Sequence, residues 1–316
     1  MMKSKITMLI LEIKGQIFRV LRHIPVIGNK IWCTHYGNQP IMNIKEGREV
    51  LKNAIKEGKP FMAARFGTTE GAALYQYHRM NLLKSKYDNS HLKRMCNNAG
   101  FFPEDKSYLF KWAELETEAC SSVDLLGTMN FLGEEYIVKK YCSHAELMPN
   151  GGLGSATYGW APVLEGKKVL VIHPFAETIE NQYLNHREEI FPGTNALPLF
   201  DLQCIKAVQT IADESDERFL NWFEALDYMT EEIKNKDFDV ALIGCGAYGF
   251  LLASRVKEMG KIAVHMGGSL QTLFGIKGNR WDKNESVPYN DAWVYPSEKE
   301  TPKGFEKVEG GCYWKQ

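Results

Sequence analysis

The chain alternates short apolar runs with longer stretches in which apolar residues recur at helical spacing. The alternation is clearest after residue 165, where residues 168–173 read KVLVIH and are apolar at almost every position, as in a strand buried on both faces. In this half the pattern predicts strands at 168–173, 196–200, 240–244 and 261–266, and helices from about 177, over 215–235 and over 248–259. Strands and helices joined by short loops are typical of a parallel α/β sheet.

The first half of the chain shows a looser form of the same pattern. It predicts helices at 43–57, 69–83, 105–121 and 134–142, and strands at 60–65 and 123–127. No low-complexity linker or repeat separates the halves. We therefore predict one Rossmann-like α/β domain over 32–316, with a mostly parallel sheet and helices on both faces. Its parts are a looser half to about 160, a Rossmann-like half over 165–282 and a wrapping tail over 283–316.

Residues 1–31 precede this domain and predict a basic amphipathic helix. Six basic residues accompany a single acid, Glu12. Such a helix is typical of a segment that lies on the inner face of an anionic membrane. The alternative is that the helix docks on the protein's own core or on a second copy in a homodimer. The apolar stripe comprises Ile6, Leu9, Ile10, Ile13, Ile17, Val20, Leu21 and Ile24.

Composition narrows the class of protein. The chain has 316 residues, of which 44% are hydrophobic and 24% charged, so it can bury a large globular core. A net charge of −1 gives no basic excess, and we therefore expect no nucleic-acid partner. Seven cysteines without a C-x-x-C pair indicate free thiols in a reducing cytosol. No apolar run approaches the ~20 residues of a membrane span, so we expect a cytoplasmic protein, peripheral on the membrane through its N-terminal helix.

Gly244, Gly246 and Gly249 form a G-x-G-x-x-G sequence between a predicted strand and a predicted helix. In a dinucleotide-binding fold the next strand ends in an acid that holds the ribose hydroxyls. Here that strand ends at His265 with no acid. A Rossmann-type NAD(P)-dependent oxidoreductase is therefore the alternative function. If no dinucleotide binds, the glycines still allow another ligand to approach the backbone of this turn, or the following helix to pack tightly on the sheet.

A second glycine-rich stretch follows the next strand. Two glycines, two basic residues and a tryptophan at the carboxyl end of a strand are typical of a site for a phosphorylated or sugar ligand. Alternatively, the basic residues are solvated and the tryptophan belongs to the core. The candidate residues are His265, Gly267, Gly268, Lys277, Arg280 and Trp281.

The segment RFGTTE follows the first predicted strand of the domain. Arg65 can pair with a diphosphate, Gly67 permits a close turn, and the hydroxyls and N–H groups of Thr68 and Thr69 can contact the same anion. Glu70 can ligate a divalent metal, orient a sugar hydroxyl or cap the following helix. The set predicts a phosphate-binding turn.

His173 ends the KVLVIH strand, and Glu177 falls in the first turn of the next predicted helix. Either residue could accept a proton from a hydroxyl group. The alternative is structural, with His173 closing a loop and Glu177 complementing the helix dipole.

Taken in order, RFGTTE, HPFAETI, DVALIGCGAYG and HMGGSLQTLFGIKGNRW resemble the GT-D-type glycosyltransferases over about residues 45–282. The resemblance implies a Rossmann-like fold and a hexosyltransferase that uses a nucleotide sugar, commonly UDP-linked. The implied acceptor is a cell-surface glycan, glycolipid or glycoprotein. Residues 65–70 would then hold the donor, and Glu70, Glu177 and His173 are the catalytic candidates.

The sequence departs from the family in its Asp-x-Glu motif, which is associated with metal and diphosphate. Thr68 stands at the position of the Asp, so only Glu70 remains as a candidate ligand for Mn²⁺ or Mg²⁺. Either Glu70 and the diphosphate hold the ion with water, or Arg65 and Lys277 supply the positive charge instead. Besides a glycosyltransferase and an oxidoreductase, a third possible function is that of a scaffold without catalytic activity.

Overall fold

The fold is described from a computed structural model. It describes residues 2–22, 24, 33–154, 159–212, 214–282, 284 and 287–315. The predicted helix over 1–31 and the predicted tail over 283–316 therefore fall partly outside the described residues.

Seven parallel strands form the central sheet, in the order β5-β4-β3-β9-β8-β6-β7. A separate two-stranded antiparallel hairpin, β1 (His35–Tyr36) with β2 (Gln39–Pro40), precedes it. Because β3 pairs with both β4 and β9, strands from both halves of the chain share one sheet. The strands of the sheet are β3 (Phe61–Ala64), β4 (Leu125–Thr128), β5 (Glu146–Pro149), β6 (Lys168–His173), β7 (Asp201–Lys206), β8 (Val240–Ile243) and β9 (Ile262–His265).

Helices cover both faces of the sheet. Along β6, Leu170 and Ile172 enter one hydrophobic core while Val169 and Val171 enter the other, because successive strand residues point to opposite faces. The predicted α/β fold class is confirmed. The α-helices are α1 (Met2–Arg22), α2 (Ile44–Glu57), α3 (Thr68–Leu83), α4 (Ser90–Ala99), α5 (Lys106–Ala119), α6 (Glu134–Tyr141), α7 (Ala176–Ile190), α8 (Trp222–Lys234), α9 (Gly249–Glu258) and α10 (Leu270–Leu273).

The connections diverge between β6 and β8, which are neighbours in the sheet. From β6 the chain passes through α7 to β7 on one side, and from β8 it passes through α9 to β9 on the other. Helix α7 packs in one core and α9 in the opposite one. Such a reversal opens a crevice at the carboxyl ends of the strands, where α/β proteins bind ligands.

The strand predicted at 196–200 is wrong. These residues form a loop whose Leu197 and Phe200 are buried in the core, and the strand runs instead from Asp201 to Lys206. β7 is an edge strand, so its polar, half-exposed residues lack the apolar signal of a central strand. The sequence also gave no prediction for the β1–β2 hairpin, for β5 or for α4.

Helix α1 docks on the body through one face. Met8 is fully buried, and Glu12 pairs with Arg79 of α3 at 3.2 Å. Lys14 of α1 pairs with Glu135 of α6 at 2.7 Å. In the part of the chain that the structure describes, no helix has the length and apolarity needed to cross a membrane.

The described part of the tail packs on the body. The indole N–H of Trp293 donates to the Ile190 carbonyl at 3.1 Å, and that of Trp314 donates to the Glu300 carbonyl at 3.0 Å. Both tryptophans are buried. The end of the tail, within residues 308–314, lies at the same edge of the sheet as the crevice.

Candidate active site

A cleft lies at the carboxyl ends of the central strands and encloses about 970 Å³, part of it open to solvent. The turns after β3, β6, β8 and β9 all reach it, as the reversal of the connections requires. The tail and the end of α4 complete its walls. Most of the residues predicted from the sequence line this cleft, namely Arg65, Gly67, Thr68, Thr69, Glu70, His173, Gly244, Gly246, His265, Gly267, Gly268 and Arg280.

The turn from β3 into α3 brings a carboxylate back over the backbone. Gly67 is the N-cap of α3, and a Cβ at this position would lie 1.7 Å from Glu70 Oε2. Only glycine leaves room for the Glu70 side chain in this place. Thr68 is exposed and Thr69 is half-buried at the helix start.

Arg65 crosses the cleft floor from β3 to the turn after β9. Its guanidinium rests against Gly267, where a Cβ would lie 2.1 Å from Nη2, and Gly267 has a φ of +62°. Nη1 donates to the Phe66 carbonyl at 3.0 Å. Arg65 Nε is buried and has no hydrogen-bond partner among the described residues. A buried cationic donor without a partner is the group that an anionic ligand would satisfy.

Glu70 combines burial with two nearby charges. Burial raises its pKa, the Arg65 guanidinium opposes that rise, and Glu309 of the tail adds to it. Burial, and then the charge of Glu70, hold the pKa of Glu116 in α5 well above the ordinary value. Glu70 is therefore a carboxylate poised to take up a proton more readily than one in water.

Two buried histidines, His173 and His265, end β6 and β9, the strands on either side of β8. Burial lowers the pKa of His173 to about 3, and the Phe175 N–H donates to its Nδ1 at 3.0 Å. His173 is therefore neutral at pH 7, with its proton on Nε2. Burial, and then Arg65, lower the pKa of His265 to about 3. Both rings offer the cleft neutral imidazole.

The three glycines of the G-x-G-x-x-G sequence each meet a group of the protein itself. A Cβ at Gly244 would lie 2.6 Å from the Gly267 carbonyl, and one at Gly246 would lie 2.7 Å from the Ala99 carbonyl. A Cβ at Gly249 would lie 2.4 Å from His265 Nε2. The three glycines of this turn are therefore explained by its tight packing on Gly267, Ala99 and His265.

The tail closes the side of the cleft next to the second glycine pair. The ring of Tyr313 lies against Gly268, where a Cβ would be 2.1 Å from Cε1. Arg280 donates to the Tyr313 hydroxyl at 3.2 Å, and its guanidinium lies 4.8 Å from the centre of that ring. Arg280 also pairs with Glu309. Its positive charge is thus held at the rim of the cleft.

Four predicted residues lie outside the cleft. Glu177 is exposed and pairs with Lys206 of β7 at 2.9 Å, which lowers the pKa of its carboxyl group. Lys277 lies 5.5 Å from the centre of the Tyr289 ring. Trp281 packs beside Tyr313 with ring centres 6.2 Å apart. Gly249 contacts the ring of His265.

Several lining residues were not predicted from the sequence. They come from the tail, from α4 and the residue after it, from the loops after β4 and β7, and from α10. All of these except α10 are distant from the glycine turns along the chain. The one sequence signal for them is the aromatic end of the tail. The residues are Asn98, Gly100, Met129, Gln209, Thr210, Gln271, Glu309, Tyr313 and Trp314.

The donor set does not fit the divalent metal that the resemblance implies. Within the described residues, no group of three or more His, Cys, Asp or Glu side chains could hold an ion. Thr68 is exposed, and the carboxylate of Glu70 shares its surroundings with the guanidinium of Arg65. Hard cations prefer several charged oxygens without a competing cation.

One comparison with known protein families agrees with this architecture. Residues 155–273 match the family model of the GT-D fold-like domain. The resemblance to GT-D-type proteins is thereby confirmed for this part of the chain, which contains the turns after β6, β8 and β9. The match supports a glycosyltransferase and does not favour the dinucleotide-binding oxidoreductase. No curated protein matches the chain.

Two similar solved structures cover 84% of this chain and 94% of their own. One is described as a selenomethionine-substituted structure of domain of unknown function 1792, with 10% identity and a TM-score of 0.39. The other is described as domain of unknown function 1792 with a distinct glycosyltransferase fold, with 11% identity and a TM-score of 0.39. A likeness at this TM-score is too distant to carry a conclusion about the chain.

Proposed function

We propose that the chain transfers a hexose from a nucleotide sugar, probed first as a UDP-linked donor, to a glycan, glycolipid or glycoprotein hydroxyl. The observation that carries the proposal is the cleft itself. It lies where the strand connections diverge. It combines glycine turns and the carboxylate of Glu70 with the buried Arg65 Nε, which has no hydrogen-bond partner among the described residues. This combination suits an anionic leaving group beside a reacting hydroxyl.

Arg65 and Arg280 supply the charge for the donor diphosphate in this proposal. Arg65 would donate from Nε to a phosphate oxygen and so satisfy the buried nitrogen. Arg280 also lines the cleft and donates to the Tyr313 hydroxyl. Gly267 and Gly268 bring these cationic groups to the cleft, because the Arg65 guanidinium lies against the first and the Tyr313 ring, to which Arg280 donates, lies against the second. Since Lys277 lies outside the cleft, Arg280 takes the role first considered for it.

Glu70 is the base in this proposal. The acceptor oxygen forms a bond to the anomeric carbon while the bond from that carbon to the diphosphate oxygen breaks, and the diphosphate leaves with the bonding electrons. The proton of the acceptor hydroxyl passes to Glu70, whose pKa is raised by burial. Nucleotide diphosphate and glycosylated acceptor are the products.

His173 has a different role from the one first considered. A neutral imidazole with its proton on Nε2 and a pKa of about 3 donates a hydrogen bond and takes up no proton near pH 7. We assign it to holding a donor-sugar or phosphate oxygen. Glu177 has no part in the chemistry, since its side chain is exposed and paired with Lys206.

The oxidoreductase alternative finds little support in the geometry. The glycines that would admit a dinucleotide are each filled by the protein's own groups, and β9 ends in a buried histidine in place of an acid. The scaffold alternative predicts binding without turnover, which an assay of nucleotide diphosphate release distinguishes.

The first test is a thermal-shift panel of nucleotide sugars, with and without Mn²⁺, followed by an assay of nucleotide diphosphate release. A ligand at a hundred times its Kd stabilises the folded state by about 2.7 kcal/mol. We expect a nucleotide sugar to raise Tm by several degrees without added metal, and NAD(P)H to leave it unchanged. A shift with NAD(P)H and none with any nucleotide sugar would overturn the proposal.

A further inference from the structure

Helix α1 exposes a continuous apolar stripe along its outer side. Its members include Ile10, Ile13 and Ile17, which are 60%, 58% and 55% exposed. At about 100° per residue the stripe spans an arc of roughly 100°. A solvent-facing row of large apolar side chains on one helix marks an interaction surface. The exposed stripe differs from the predicted one at its ends, since Leu21 is half-buried and Ile24 follows the end of the helix. It comprises Met2, Ile6, Leu9, Ile10, Ile13, Ile17 and Val20.

The opposite side of α1 is already occupied by the body of the protein. Met8 is fully buried, and a Cβ at Gly15 would lie 3.1 Å from Leu132 Cδ1. These two residues lie roughly opposite the centre of the stripe on the helical wheel. The alternatives predicted from the sequence were docking on a membrane, on the protein's own core or on a second copy of the chain. The structure shows a helix that docks by one face and leaves the apolar stripe uncovered by any other described residue.

Charge around the stripe has one sign. Lys3 and Lys5 flank it on its two sides and form no ion pair with the described residues. Glu12 is the one acid of α1, and it is turned toward the body and paired with Arg79. A ligand that covers the stripe would therefore meet apolar side chains bordered by lysines.

We propose that the stripe of α1 docks the protein on an anionic membrane surface, with the helix lying in the plane of the interface. The apolar residues would enter the boundary between headgroups and acyl chains, and Lys3 and Lys5 would contact anionic headgroups. This inference is independent of the sugar-transfer proposal, since it concerns a surface on another part of the molecule.

A second copy of the chain suits this surface less well. Stable interfaces use about 20–30 residues on each side, whereas the stripe offers seven. Two parallel copies would also bring Lys3 and Lys5 of one copy close to the same residues of the other. An anionic membrane matches the sign of the charge and needs no shape complementarity.

The test is flotation of the full chain with vesicles of neutral phosphatidylcholine, alone or with 30% phosphatidylglycerol. The test variant combines Ile10→Gln, Ile13→Gln and Ile17→Gln, which alter only exposed side chains. The matched control combines Leu184→Gln, Leu199→Gln and Leu220→Gln, which are 69%, 63% and 84% exposed but lie on other elements. Circular dichroism and sedimentation velocity of each protein report folding and oligomeric state.

We expect the wild-type chain and the control to float with the anionic vesicles and the stripe variant to lose about a hundredfold in affinity. Lys3→Gln and Lys5→Gln should each lower affinity by about fivefold and weaken its salt dependence. Equal flotation of the stripe variant, or no flotation of the wild-type chain, would overturn the proposal. A wild-type dimer that the stripe variant converts to monomer, without any vesicle binding, would assign the stripe to a second copy instead.

Discussion

Two strand-to-helix turns border the cleft, and they use glycine for different ends. In the turn after β3, Gly67 makes room for the Glu70 carboxylate, and the buried Nε of Arg65 beside it has no hydrogen-bond partner in the described part of the chain. In the turn after β8, Gly246 and Gly249 make room for the Ala99 backbone and the His265 ring. The first turn holds reactive side chains at the cleft, whereas the second brings structural elements close together.

A glycine-rich sequence pattern is therefore weak evidence for a bound ligand. Glycine marks a place where another atom comes close, and that atom can belong to the protein. The contact that fills the position of the absent Cβ decides the interpretation. By this criterion the RFGTTE turn is the stronger candidate for chemistry, although the G-x-G-x-x-G turn resembles a better-known motif.

The largest effect is expected from Glu70→Gln, which keeps the shape of the side chain and removes the base. We expect turnover to fall by about 10³-fold, in the range for loss of a general base. Because burial raises the pKa of Glu70, wild-type activity should fall on acidification from above the ordinary carboxylate range, and the variant should lack this dependence. The pH–rate profile measures both. Glu177→Gln is the matched control, and equal losses in the two variants would remove Glu70 from the chemistry.

A somewhat smaller loss is expected from Arg65→Ala. Removing one charged donor to the leaving diphosphate should lower kcat by about 10²-fold. Arg65→Lys should recover only part of the loss, since an ammonium cannot reach both Gly267 and the cleft as the guanidinium does. Lys277→Ala serves as the control cation outside the cleft. If Lys277→Ala lowered kcat as far as Arg65→Ala does, the proposal that Arg65 acts on the diphosphate from within the cleft would be wrong.

The smallest effect in this series concerns the structural turn. Gly249→Ala places a methyl group against the His265 ring and should cost about 1–3 kcal/mol of unfolding free energy, although alanine is otherwise favoured in helices. Gly151→Ala is the control, because its nearest atom would lie at 3.8 Å. Urea denaturation measures both variants. A Gly249→Ala protein as stable as wild type would show that the packing of this turn on His265 does not require glycine.

The sequence predicted the central part of the fold because buried parallel strands have a strong apolar signal. β6, β8 and β9 lie where the pattern put them, to within one residue. β7 was displaced, since its edge position removes the need for apolar residues, and the apolar signal before it belongs to a buried loop. The local sequence pattern thus misplaces a strand when burial depends on where a segment lies in the fold and not on whether it forms a strand.

The candidate site was predicted in part for a related reason. Residues at strand ends, such as Arg65 and His173, reach the cleft because parallel strands end at one edge. Glu177 does not, since it begins a helix and faces Lys206 on the outer side. The contribution of Tyr313 depends on the path of the tail, which no local pattern specifies.

The buried thiol of Cys245, between the first two glycines of the turn after β8, offers a way to observe motion at the cleft. Burial raises the pKa of this thiol, so it stays protonated and unreactive while the turn is closed. An alkylating reagent can modify it only during an excursion that exposes the sulfur to water. The rate of that modification therefore measures how often the turn opens. A ligand bound in the cleft would lower this rate.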